Sequence, residues 1–313
     1  MEQFLDATTH KPLATITLAE GETRIVAVKK FALGKPPSVV VLTRKPSVAI
    51  CHQVSHLLDP TKLKYDTDRA AKWSSIGSFG DELVTVERNG LYFFQIAGQT
   101  AGTTELSAAF TKSGQGDYAA TLPVTVTPTK NTPIMIAPAS FNTIWANHPM
   151  NHGYPGQNGE SLNKPCDQAK WLVGQCMVRF CTALNRSGAT LTGLHGNRCG
   201  IAGKGHAHHF VNPYDFSTWQ HTKPHFVWEA KPLQPEPMPG IAAFWYMMQK
   251  QGVVVFWNYF PTVHDHGKGK DMFGGHIDFW NKVRMGNTYN HQNPYDGESA
   301  FMRARKIEFW LMN

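Results

Sequence analysis

Apolar positions in the first part of the chain come in strand-length runs. ATITLAEGE (14–22), RIVAVKKF (24–31), PSVVVLTR (37–44), PSVAICHQV (46–54), ELVTVERNG (82–90), LYFFQIAG (91–98), TELSAAFTKSG (104–114) and YAATLPVTVTP (118–128) follow one another. β-branched and aromatic residues fill them, and Gly, Pro, Asn or Ser separate them. Several short strands with regular turn signals predict an all-β antiparallel sandwich over 10–128.

The pattern changes after PTKNTP (128–133), whose two prolines suit a link between domains. We read 129–138 as the linker and 139–313 as a second domain. In GQCMVRFCTALNRSG (174–188), Met177, Phe180, Cys181 and Leu184 make one apolar stripe at helical spacing, predicting a helix over 176–187. Gly188 stands where a left-handed cap ends such a helix. PYDFSTWQHT (213–222) predicts a second helix. GVVVFWNYF (252–260), GHIDFWNKVRM (275–285) and RKIEFWLM (305–312) predict strands, so the second domain reads as α+β. In the middle strand Ile277, Phe279, Val283 and Met285 are expected to face the core. His276, Asp278 and Trp280 would face the other way.

Composition sharpens the division. Of 15 histidines, 12 follow residue 130, as do eight of nine tryptophans. The formal charge is +7, with 16 Lys/Arg against 11 Asp/Glu in 133–313. That surface suits an anionic partner, yet no basic run of the kind that marks nucleic-acid binding is present, and we expect neither nucleic acid nor membrane as partner. No apolar run approaches the roughly 20 residues of a membrane span. MEQFLDATTHKP shows no signal-peptide pattern, so export is expected to leave the N-terminus intact. The five cysteines (51, 166, 176, 181, 199) form no CxxC pair. This argues against a disulfide scaffold or a cysteine-rich zinc site, while leaving open a single Cys166–Cys199 bridge.

Cys176 opens its helix, where unpaired backbone N–H groups lower a thiol pKa and can bind an oxyanion. Cys181 lies within the apolar stripe and reads as core. A thiol nucleophile needs a base, and His276, following Gly274-Gly275 at a strand start, can project into a cleft. Asp278 and Asn287 are both candidates to orient the imidazole. The histidine groups 206–209 and 264–266 raise a metal hydrolase as a rival, but no H-E-x-x-H helix is present. We expect no metal and no cofactor.

SFNTIWANHP (140–149), GQCMVRFCTALNRSG, GVVVFWNYF and GGHIDFWNKVRM stand in an order that resembles the fourth family of type VI secretion amidase effectors, papain-like cysteine peptidases related to the NlpC group. The family's Asn-x-Cys-x-x-Arg-Met-Ser segment keeps Cys176 and Arg179 here, with Gly174 for Asn and Phe180-Cys181 for Met-Ser. The resemblance implies Cys176 as nucleophile and His276 as general base. The family's third residue, usually Asp, falls on Asn287, with Asp278 as rival. It also implies cleavage of peptidoglycan stem peptides between γ-D-glutamate and meso-diaminopimelate. The partners it implies are a cognate immunity protein and a secretion spike or tube component, and the route runs from the producer cytoplasm to a target periplasm. TELSAAFTKSGQGDYAATLPVTVTP is similar to the end of bacterial Ig-like domains, making the first domain an Ig-like sandwich by resemblance. Adhesion to the wall without catalysis is the reading from a different class.

Overall fold

The computed structural model describes residues 3–29, 38–43, 47–53, 91–112, 115–151, 165–166, 174–201, 208–229, 239–260, 274–286 and 300–313. The run ELVTVERNG lies outside the described residues, as do the histidines 264 and 266. The chain forms two compact units. One takes in Met1–Thr129 with Lys231–Tyr246, the other Lys130–Ala230 with Met247–Asn313.

The first unit holds two four-stranded sheets. Strands β1 (Phe4–Asp6), β3 (Thr23–Lys29), β6 (Leu91–Gly98) and β5 (Val48–Gln53) form one, in that order. In the other, β2 (Ile16–Ala19), β8 (Gln115–Thr127), β7 (Gly102–Lys112) and β4 (Ser38–Thr43) follow one another. Pairing is antiparallel except between β2 and β8, which run parallel from Ile16↔Val124 to Ala19↔Thr127. Alternate residues of both sheets meet in one core: Val26, Val28, Phe94 and Ile96 from the first, Leu18, Leu106, Leu122 and Val124 from the second. A period-two burial pattern on two facing sheets is the physical signature of a sandwich.

The second unit is built on one antiparallel sheet. Its strands are β12 (Arg284–Met285), β11 (Gly274–Asn281), β10 (Gln251–Phe260), β13 (Lys306–Leu311) and β9 (Phe226–Glu229), in that spatial order. Helix α1 (Phe141–Ala146) is capped by Ser140, whose hydroxyl accepts the Thr143 N–H. Helix α2 (Cys176–Arg186) ends as its sequence predicts: Gly188 takes φ +70°, and the Ala189 N–H closes back onto Leu184 O at 3.0 Å. Helix α3 (Pro213–Gln220) starts at Asn212, whose side chain accepts the Tyr214 N–H, with proline at the first helical position. Helix α4 (Pro239–Met247) lies, but for its last residue, in the first unit, while α5 (Ala300–Arg303) belongs to this one.

Met177, Phe180, Cys181 and Leu184 of α2 pack with Val253 and Val255 of β10 and Ile277 and Phe279 of β11. Phe180 stacks on Phe279 at 4.4 Å and 16°. That stack fixes α2 against β11 one helical turn after Cys176.

The face of β11 opposite Ile277 and Phe279 is also covered, since Asp278 and Trp280 are buried there and His276 is 9 % exposed. One expectation for this segment changes. Val283, expected in the core, is 57 % exposed. The strand stops at Asn281, and Lys282 turns the chain at φ +59° before β12, which breaks the alternation.

Candidate active site

Cys176 is the first residue of α2 and is half-buried at the rim of the core. Its Sγ lies 3.9 Å from Gly275 O, along the edge of β11 and next to His276 in sequence, and the His276 imidazole acts on its ionisation. Burial opposes ionisation of this thiol. The hydrogen bond and charge of His276, with the N–H groups of Ile277 and Met177, outweigh it and bring the pKa below the ordinary thiol value. Cys181, fully inside the stripe, behaves oppositely: burial pushes it up to about 12.

His276 pairs with Phe256 in the ladder between β10 and β11, and the Tyr259 ring lies 6.1 Å from it. Residues two apart on a strand share a face, so Asp278 comes to the same side, and its Oδ2 lies 3.5 Å from His276 Nε2. Burial disfavours the imidazolium, but the hydrogen bonds and charges of Asp278 and Cys176 prevail and raise the His276 pKa to about 9. A thiol shifted down beside an imidazole shifted up favours a thiolate–imidazolium pair.

The structure adds a residue that the sequence reading did not single out. His148, buried after α1, places Nε2 3.5 Å from Asp278 Oδ1, on the other carboxylate oxygen. Its Nδ1 accepts the Met150 N–H at 3.3 Å, which puts the ring proton on Nε2, facing Asp278. Burial, only partly opposed by the Asp278 charge, lowers its pKa to about 4, so the ring is neutral at pH 7. Asp278 Oδ1 also accepts its neighbour's N–H, from Phe279, at 2.8 Å. The carboxylate is therefore held on several sides while it faces His276. The quoted block SFNTIWANHP ends one residue after His148, and that was the signal available for it.

Two glycines permit these approaches. A Cβ on Gly275 would stand 2.6 Å from the Tyr214 ring, and one on Gly286 would stand 2.8 Å from Asp278 Oδ1 and 2.9 Å from His148 Cε1. Asn287 lies outside the described residues. Of the sequence candidates, Cys176, His276 and Asp278 come together.

Chemically, the arrangement provides an ionisable sulfur, a proton donor beside it, a carboxylate on the donor's far nitrogen, and a helix start whose N–H groups can receive an oxyanion. None of the described helices is long and apolar enough to cross a membrane.

Residues 173–311 match the family model described as type VI secretion system (T6SS), amidase effector protein 4. No curated protein matches the chain. Solved structures similar to it include domains 4 and 5 of the S-layer protein SbsC, at 14 % identity, 36 % of this chain, 41 % of that chain and a TM-score of 0.20. The fibronectin(III)-like modules of Clostridium thermocellum CbhA give 13 %, 45 %, 53 % and 0.22, and the M1 domain from titin 9 %, 40 %, 92 % and 0.20. The chain spans less than half the length of the SbsC fragment, and likenesses at these scores assign no fold.

Proposed function

We propose, from the match of residues 173–311 to the model of the type VI secretion amidase effector 4 family, that this chain is an antibacterial cysteine amidase acting on peptidoglycan stem peptides. The observation that supports the mechanism is the place of Cys176 against Gly275 at the start of β11, where His276 and Asp278 stand 3.5 Å apart, an arrangement that lowers the Cys176 pKa and raises that of His276. The Cys176 thiolate attacks the amide carbonyl, forming the C–S bond and a tetrahedral oxyanion held by N–H groups at the start of α2. As the C–N bond breaks, the His276 imidazolium gives its proton to the departing amine. The neutral imidazole then takes a proton from water, whose hydroxide attacks the thioester. The acid product leaves, and the thiolate–imidazolium pair is restored.

Asp278 is proposed to orient His276, supported by its 3.5 Å approach to Nε2. Asn287, supplied by resemblance, stands as the rival for that role. The bond proposed is γ-D-glutamyl–meso-diaminopimelate, the specificity the resemblance implies. Residues 139–313 would form the papain-like, NlpC-type catalytic domain and 10–128 an Ig-like domain, joined by 129–138. The Ig-like part would serve to dock the effector on the secretion apparatus, to hold it at the wall, or as a spacer. Delivery to a target periplasm and a cognate immunity protein covering the cleft complete the reading.

The test is digestion of purified muropeptides by wild type and Cys176→Ala, followed by mass spectrometry. The wild type should release a new amine at the diaminopimelate residue, and Cys176→Ala should remain folded and release none. Cleavage undiminished in the variant, or abolished by chelators but not by thiol alkylation, would overturn the proposal.

A further inference from the structure

Away from the candidate active site, Cys166, Cys199 and His209 form a buried group on another side of α2. Their relative exposures are 0 %, 1 % and 3 %, and their donor atoms all lie within 4.8 Å of one another. Cys166 Sγ is 3.2 Å from His209 Nδ1. Val178, Ile201 and Val211 pack around the two sulfurs. We propose that these three side chains bind a structural zinc ion, which staples three loop segments together beside the helix that carries Cys176.

The hydrogen bonds around His209 set its tautomer. The Thr182 hydroxyl gives its proton to Val178 O at 2.8 Å, so its oxygen can only accept from His209 Nε2, 3.1 Å away. The ring proton therefore sits on Nε2, and the Nδ1 lone pair points at Cys166. That is the form in which histidine ligates a metal, with its second nitrogen tied down by an outer partner. Two cysteines with one histidine are a soft donor set suited to zinc. Tetrahedral zinc at its usual bond lengths separates sulfur and nitrogen donors by about 3.5 Å, close to the separation found here. A Cys166–Cys199 disulfide would instead remove the Cys166 S–H that faces the buried Nδ1.

The surrounding backbone is arranged to hold the donors. The Cys199 N–H donates to His209 O and the Val211 N–H to Asn197 O, both at 3.0 Å, which locks the 197–199 and 209–211 segments together. The Cys166 N–H donates to Oε1 of Gln175, the residue immediately before Cys176, at 3.1 Å. Zinc would enter as the two thiols release two protons, leaving a neutral centre with its fourth position for water or one more donor. Among the described residues no other Cys, His, Asp or Glu joins the group.

The test uses the full chain, reduced, loaded with zinc sulfate and dialysed against metal-free buffer. Elemental analysis should find one zinc per chain, retained in Cys176→Ala and lost in Cys199→Ser and His209→Ala. Cobalt in place of zinc should give a thiolate charge-transfer band and tetrahedral visible bands in the wild type, a readout that stands even if a variant fails to fold. A reduced wild type that takes up neither metal overturns the proposal. So does metal lost from Cys176→Ala but kept in Cys199→Ser, or a native Cys166–Cys199 disulfide in metal-free protein.

Discussion

His148 holds the proton on the nitrogen that faces Asp278, and it does so from the side of the carboxylate turned away from His276. A neutral donor in that place steadies the carboxylate without neutralising it. Asp278→Asn should therefore lower kcat by about 10²-fold or more, the scale on which an oriented general acid–base acts, with KM less affected. The alkaline limb of the rate profile should also move down from about 9, because the charge that raises the His276 pKa is gone. A parallel Asn287→Ala variant assigns the third role: if it is the more damaging of the two and leaves that limb in place, Asn287 holds the role.

The pH dependence has a definite sign on both sides. Below the lowered Cys176 pKa the thiolate is protonated and attack stops. Above about 9 the imidazolium loses the proton it owes the leaving amine. Hydrolysis of a stem-peptide substrate should trace a bell whose acid limb lies below the ordinary thiol range and whose alkaline limb lies near 9. A single rise centred on an ordinary thiol pKa would contradict the ion pair.

Acid stability should report His148. Its folded pKa of about 4 lies below the usual histidine value of about 6.5. The unfolded chain therefore takes up this proton first as pH falls. Stability is complete above about 6.5 and declines towards pH 4, by up to about 3 kcal/mol from this ring alone. Denaturant titrations of wild type and His148→Gln across that range should differ by close to one proton in slope.

Gly286→Ala tests the crowding around the carboxylate. The new methyl would meet Asp278 and His148 at distances no real contact keeps, so one of them must move. We expect a stability loss of about 1–3 kcal/mol together with a fall in kcat. A more severely crowded Gly252→Ala, set against the Trp310 carbonyl in the sheet, should cost more stability without shifting the pH profile of the folded fraction.

Alkylation at neutral pH should separate the cysteines of α2. Iodoacetamide should label Cys176 rapidly in the native protein and Cys181 only after unfolding, because Cys181 is buried with its pKa pushed up to about 12. Peptide mapping after a short pulse reads both sites.

The sequence made α2 legible because its stripe, its opening cysteine and its Gly188 cap are all local signals. His276 could be placed at a strand start by the same kind of local signal, while its role came only from the resemblance. Asp278 and Asn287 could not be separated, since spacing along a strand does not say which polar group reaches the imidazole. His148 was missed because it comes from a distant segment and meets Asp278 only in the folded unit. The sequence left Cys166 and Cys199 as a possible bridge and His209 in a separate histidine group: their spacing is irregular, and three loops bring them together. Val283 was misplaced because alternation was carried through a turn at Lys282 that the residue types did not announce.

The pairing of Val254 with Asp278 and Phe256 with His276 has a further implication. One extra residue inserted just ahead of His276 would keep a plausible hydrophobic strand yet exchange its two faces, sending the imidazole and carboxylate to where Ile277 and Phe279 now lie. Such a protein would be a misthreaded sheet with an intact list of reactive groups held on the wrong face, so the frame of the ladder decides the site as much as the side chains it carries.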